Sequence, residues 1–182
     1  MNLTDQTVLV TGGARGLGRA LTDAFLREGA TVIVNYFSSG DAAASLMAEH
    51  PGRVLAVQAD VRDREQVDAL FTAAAEASLG PVTTVVNNAL VDFSFNGDAR
   101  PKATDISWGD FHRQFEGAVG GAVNVIQAAL PGFREIGSGR VVNIGTNLFQ
   151  NPVVPYHDYT AAKTALLTLT RTFADDLGPE NI

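Results

Sequence analysis

The chain has 182 residues, of which 46% are apolar and 18% charged, and carries a formal net charge of −7. That length supports one domain with a substantial core, and the apolar content excludes general disorder. The acidic balance excludes a nucleic-acid partner of the ordinary basic-patch kind, and the lack of cysteine excludes disulfides, thiol nucleophiles and thiolate metal sites.

In chain order, the polar start Met1–Gln6 lacks the form of a secretory signal, so a cytoplasmic location is expected. Short β-branched runs then alternate with longer amphipathic stretches. Thr7–Thr11, Thr31–Asn35, Arg53–Ala59, Val82–Asn87 and Gly139–Ile144 are predicted strands. Their continuous apolar character suits strands covered on both faces. Between and after them, Gly16–Glu28, Asp41–His50, Arg64–Leu79, Trp108–Leu130 and Asp158–Leu177 are predicted helices. Gly29 and Gly178 stand where helix-ending glycines belong, Pro179 blocks continuation, and Ser107 with Asp110 three residues on forms an N-terminal cap signal. No run is apolar enough for a membrane span. The pattern implies an α/β fold, a parallel sheet flanked by helices, in a single domain over residues 1–182.

The irregular stretches Leu90–Asp105 and Gly145–His157 both follow strands, at the carboxyl edge where such sheets bind ligands. The turn Thr11-Gly12-Gly13-Ala14-Arg15-Gly16-Leu17-Gly18 leads from the first strand into the first helix. Glycines at 12, 16 and 18 permit a tight turn, close approach of a phosphate and close helix–strand packing, and the helix N-terminus favours an anion. Tyr159 and Lys163 lie four apart at the start of the last predicted helix, which puts them on one face. An ammonium so placed is expected to lower the phenol pKa and to fit the tyrosine for proton transfer. Lys163 is one of only two lysines in the chain, which makes the pairing a poor candidate for chance.

The turn's spacing, Asp60-Val61 after the third strand, Asn87-Asn88-Ala89 at the end of the fourth, and Tyr159-Thr-Ala-Ala-Lys163 together resemble the ordinary branch of the short-chain dehydrogenase/reductase family. Within it the chain looks most like 3-oxoacyl-[acyl-carrier-protein] reductases, through Val34-Asn35-Tyr36 and the long alanine-rich helix. The resemblance implies a doubly wound parallel sheet of Rossmann type with strand order 3-2-1-4-5, and an oxidoreductase acting on a carbonyl or its alcohol, a small molecule with acyl thioesters among the candidates. It implies Tyr159, Lys163 and a hydroxyl partner as catalytic residues. That partner is a serine thirteen residues before the tyrosine in the family, and here it is Thr146. Gly12, Arg15, Gly16, Leu17, Gly18, Asn35, Tyr36, Ser38, Asp60, Val61, Asn88 and Ala89 are the implied dinucleotide contacts, beside Tyr159 and Lys163. No carboxylate stands at the end of the second strand before Asp41, and Arg15 adds a cation inside the turn, so NADP(H) is the expected cofactor. A homodimer or homotetramer is expected. No metal site is expected, since His50 and His112 stand isolated.

Three departures from the family pattern matter. Ala118 occupies the position of the family's helix asparagine, amid Gly117, Gly120 and Gly121. These glycines are expected to serve close helix packing, within the fold or across a dimer interface, with a local bend as the alternative. Leu90 replaces a glycine and is expected to narrow the nicotinamide pocket. The chain also stops at Ile182, where relatives continue, so it reads as C-terminally truncated, with one sheet face and edge uncovered. Two alternatives stay open: a non-catalytic dinucleotide-binding sensor on the same fold, and a sugar-nucleotide epimerase or dehydratase. The latter usually carries a differently spaced glycine turn.

Overall fold

The computed structural model describes residues 2–96 and 99–182. Five parallel strands form one sheet in the order β3-β2-β1-β4-β5: β1 is Thr7–Val10, β2 Thr31–Tyr36, β3 Val54–Gln58, β4 Val82–Asn87 and β5 Arg140–Asn143. This is the predicted order. The sequence direction of winding reverses between β1 and β4, so the crevice beyond their carboxyl ends is where such a sheet accepts a ligand.

The helices are α1 (Gly16–Arg27), α2 (Gly40–Glu49), α3 (Arg64–Glu76), α4 (Trp108–Phe115), α5 (Gly121–Ile136) and α6 (His157–Leu177). Successive strand residues turn to opposite faces, and both faces are covered. Val8, Val10, Val32 and Val34 pack with Leu26 and Leu46 of α1 and α2. Leu9, Ile33 and Val85 pack with Val67, Leu70, Val125 and Phe133 of α3 and α5. That two-sided burial is why the strands read as unbroken apolar runs. At the sheet's edge β5 is less covered, and Val142 is 39% exposed.

The helix ends partly depart from expectation. Ser107 and Asp110 do form a reciprocal capping box, and Gly29 adopts the left-handed φ of +95°. The long helix, however, does not stop before Pro131. It runs to Ile136 and ends at Gly137, whose φ is +77°, because the extra turn places Phe133 wholly within the core. Burial of a phenyl ring, about 2–3 kcal/mol, offsets much of the cost of a helical proline. Gly178 does not end α6 in a left-handed conformation either: its φ is −53°, the chain continues as a 3-10 turn through Glu180, and Asn181 takes the left-handed position.

Between α4 and α5 the helix widens into a π-helical turn, Glu116–Gly120. A Cβ on Gly117 would lie 2.9 Å from Val91 Cβ, and one on Gly121 2.7 Å from Val61 Cγ2. Gly117 and Gly121 therefore serve close packing inside the fold, against the segments that leave β4 and β3, whereas a Cβ on Gly120 would meet nothing closer than 3.9 Å. The widened turn supplies the local irregularity as well.

Candidate active site

The glycine turn is built as its spacing requires. Gly12 and Gly16 hold φ of +62° and +55°, a region costly for other residues. A Cβ at Gly18 would sit 2.1 Å from Gly12 O, so only glycine lets α1 lie against the turn. The Thr11 hydroxyl accepts from the backbone N–H groups of Asn88 and Ala89, at 3.0 Å each, locking the turn to the end of β4. The N-cap position of α1 is Arg15, and no side chain caps it. The first-turn N–H groups of α1 thus face the cleft as free donors with the positive end of the helix dipole behind them. Arg15 and Leu17 are exposed there, and a Cβ at Gly16 would meet nothing within 4 Å.

From this turn a cleft of about 680 Å³ runs past the ends of β2, β3 and β4 to Tyr159 and Lys163. It is bordered by every residue expected to contact a dinucleotide, though not all offer a free side chain. Asn35 is buried, its amide donating to Ala59 O at 2.9 Å and its Oδ1 accepting from Gly12 N–H at 3.4 Å. Asn88 donates to Thr11 O and Gly12 O. Both buttress the cleft wall. At the end of β2 Ser38 is exposed and Tyr36 is half-buried against the core, and no carboxylate borders that stretch of the cleft. Asp60 is held by Arg62 through contacts of 2.7–3.1 Å, which keep its carboxyl below the usual range, and Val61 is buried. Arg62 brings a cation to this edge that sequence reasoning did not single out. Its spacing two residues after Asp60 was the available signal.

At the other end α6 presents Tyr159 and Lys163 one turn apart, with Lys163 Nζ 6.0 Å from the centre of the tyrosine ring. Lys163 is 4% exposed and donates to Ile144 O at 2.7 Å. Burial lowers its pKa to about 8. Burial likewise raises the Tyr159 pKa, with a hydrogen bond to the Thr146 hydroxyl as the lesser, opposing influence. The expected lowering of the phenol pKa by the ammonium is therefore not what this arrangement gives: desolvation of the ring dominates and raises it. Thr146 also accepts from Leu148 N–H at 3.2 Å, which orients its hydroxyl beside the tyrosine.

Ala118 is buried behind Lys163. It borders a void of about 10 Å³ shared with Thr11, Asn87 and Lys163, where a longer polar side chain would reach. Leu90 borders the cleft. Sequence reasoning missed a set of aromatic residues in the segment after β4. Phe93 stacks on Tyr159 with ring centres 4.7 Å apart, and Phe95 meets Tyr159 edge-on at 5.9 Å. Trp108 lies 75% exposed and stacks only on Phe111, outside the cleft. Asp158, which neighbours Tyr159, is buried in an ion pair with Arg100. Among the described residues there is no cluster of His, Asp and Glu fit for a metal, and no helix is long and apolar enough to cross a membrane.

The sequence pattern of the short chain dehydrogenases matches residues 6–182. The chain belongs to the short-chain dehydrogenase family. It is 32% identical over 184 residues to a short-chain type dehydrogenase/reductase of Picea abies, covering 96% of this chain and 66% of that one. It is 32% identical over 177 residues to the ketoacyl reductase HetN of Nostoc, covering 96% and 59%. A short-chain dehydrogenase structure from Streptomyces avermitilis superposes with a TM-score of 0.83 at 33% identity, over 100% of this chain and 64% of that one. This short-chain dehydrogenase chain thus spans about two thirds of the length of the relatives it matches.

Proposed function

We propose that the protein is an NADP(H)-dependent oxidoreductase that reduces a ketone or 3-oxoacyl-type carbonyl, or oxidises the corresponding alcohol. One observation carries the reading: a single cleft joins an uncapped helix N-terminus at one end to the Tyr159 phenol at the other. The cleft suits a dinucleotide on structural grounds. Its glycine turn leaves the first-turn amides of Gly16, Leu17 and Gly18 open to phosphate, and the position is the sheet's winding switch point. Arg15 would meet a 2′-phosphate, with Tyr36 and Ser38 beside it and no repelling carboxylate on that stretch. Asp60 and Val61 would border the adenine, Asn88 and Ala89 the nicotinamide ribose, and Lys163 would hold the ribose hydroxyls. When bound, the nicotinamide supplies or accepts the hydride.

The chain's own part is to orient a carbonyl and move one proton. The Thr146 hydroxyl holds the substrate oxygen beside the phenol. Tyr159 then gives its proton to that oxygen in reduction, or takes it back in oxidation. Burial holds the phenol pKa above its usual value, so Tyr159 starts reduction as the protonated acid. Resemblance to a ketoacyl reductase supports the choice of carbonyl substrate.

The test is NADPH oxidation with a panel of ketones and 3-oxoacyl thioesters, before and after Tyr159→Phe. Loss of a positioned general acid is expected to lower kcat by about 10²–10⁴-fold with NADPH affinity kept. Unchanged turnover would remove the mechanism, and equal affinities for NADH and NADPH would remove the cofactor assignment.

A further inference from the structure

The proton-transfer scheme leaves one wall of the cleft unexplained. Phe93, Phe95, Tyr156 and Tyr159 form a cluster in which every pair of rings lies within 6.3 Å, except that Phe95 still presents most of its surface to solvent, at 70% exposure. The cluster is not loosely laid. The Arg100 guanidinium carbon lies 4.5 Å from the centre of the Phe93 ring, and its Nη2 donates to both oxygens of Asp158 at 2.5–2.6 Å. Asp158 is 2% exposed and fixed on α6 directly before Tyr159. Arg100 therefore fastens the segment after β4 to the helix that carries the proton donor, with the Phe93 ring held between the two. Gln114 adds a second fastening by donating to Val91 O at 3.1 Å.

The chemistry of this wall is one-sided. Leu90, Val91, Phe93 and Phe95 border the cleft here, and the one acid among them in sequence, Asp92, faces Arg62 at 3.4 Å. A substituent rich in hydroxyl groups would lose its hydration against these side chains and regain few hydrogen bonds. A flat apolar substituent would cover Phe95 and stack among rings already arranged at stacking distances.

We propose that Phe93 and Phe95 form an aromatic substrate subsite, that Arg100 is the residue that positions it, and that the substrate is a ketone bearing a flat apolar substituent such as an aryl group. This rests on the carbonyl-reductase reading above. The experiment compares acetophenone with dihydroxyacetone under saturating NADPH, in the unmodified protein and in Phe95→Ala, Phe93→Ala, Arg100→Ala and Arg100→Ala/Phe93→Ala. Acetophenone is expected to be preferred, and Phe95→Ala to raise its KM by about tenfold, the upper range for one lost aromatic contact. Arg100→Ala is expected to raise the same KM while the NADPH Kd stays within about twofold, and the double variant to be no worse than the worse single one, because both act through one ring. Preference for dihydroxyacetone, additive effects of Arg100→Ala and Phe93→Ala, or a Phe95→Ala protein with unchanged KM would overturn the proposal. Phe95 is exposed, so its variant keeps the test open if Arg100→Ala fails to fold. Should no ketone be turned over, the reductase reading fails by itself. The subsite is then read by calorimetric titration of the NADP-loaded protein with benzamide and with acetamide: benzamide binding that Phe95→Ala abolishes supports it, and equal behaviour of the two amides refutes it.

Discussion

Replacing Lys163 by methionine is expected to make the ligand-free protein more stable at neutral pH while impairing cofactor retention. Lys163 is 4% exposed, and burial takes its pKa from the usual 10.5 to about 8. Holding the charged form in that site therefore costs about 3 kcal/mol at pH 7 relative to an unfolded chain. Methionine follows the same path through the core without a charge, but it forfeits the bond to Ile144 O, worth about 1 kcal/mol. The net gain is about 2 kcal/mol, or about 4–8 °C in Tm for a chain of this size. The pH dependence is the sharper signature. Because the folded-state pKa lies below the unfolded one, folding releases a proton between about pH 8 and 10.5, so the unmodified protein gains stability as pH rises through that window. The advantage of Lys163→Met should be full below about pH 8 and lost before 10.5, above which only the forfeited bond, about 1 kcal/mol, remains and counts against the variant. Thermal melts of both proteins at pH 7 and near pH 10.5 measure it. A variant less stable at pH 7, or a difference that does not change with pH, would refute the account of Lys163 as a charge held at a cost for the sake of its ligand.

Gly18→Ala should abolish NADPH binding by fluorescence titration and lower Tm, since its Cβ would fall 2.1 Å from Gly12 O and force α1 away from the turn. Thr146→Ser is expected to keep turnover near the original level, while Thr146→Val, which removes the hydroxyl beside Tyr159, should lower kcat by about tenfold or more in steady-state assays. Asp63 caps α3 by accepting from the N–H groups of Glu65 and Gln66, so Asp63→Ala should lower the midpoint in denaturant titration without altering NADPH affinity.

How far the sequence could be read depended on whether a feature is local. The glycine turn and the Tyr159–Lys163 spacing are short patterns with one physical use, and the cleft gathers both. Alternating apolar runs and helices made the parallel sheet legible, but they allow more than one winding, so the strand order rested on the family resemblance. Features decided by distant contacts were not legible. Pro131 signals a stop in sequence, yet Phe133 draws the helix onward into the core. Asn35 and Asn88 looked like free cofactor contacts because their bonds run to backbone on other strands. Phe93 and Phe95 looked like irregular loop because their meaning lies in Tyr159 and Tyr156, far along the chain. The direction of the Tyr159 pKa was misjudged for the same reason: spacing reveals the ammonium but not the burial.

The buried amide of Asn35 carries a consequence for how this cleft can change. Its side chain ties β2 to the residue after β3 and to the glycine turn, so the position that looks best placed to read the adenine ribose is already spent on architecture. On the proposed reading, discrimination between cofactors would then fall to Tyr36, Ser38 and Arg15, of which the last two are exposed and carry no core packing. Ser38 and Arg15 can change without unsettling the sheet beneath them, whereas Tyr36 packs against the core. The fold thereby separates what must stay constant from what selection can retune, and a shift in cofactor preference is open to it through single surface substitutions.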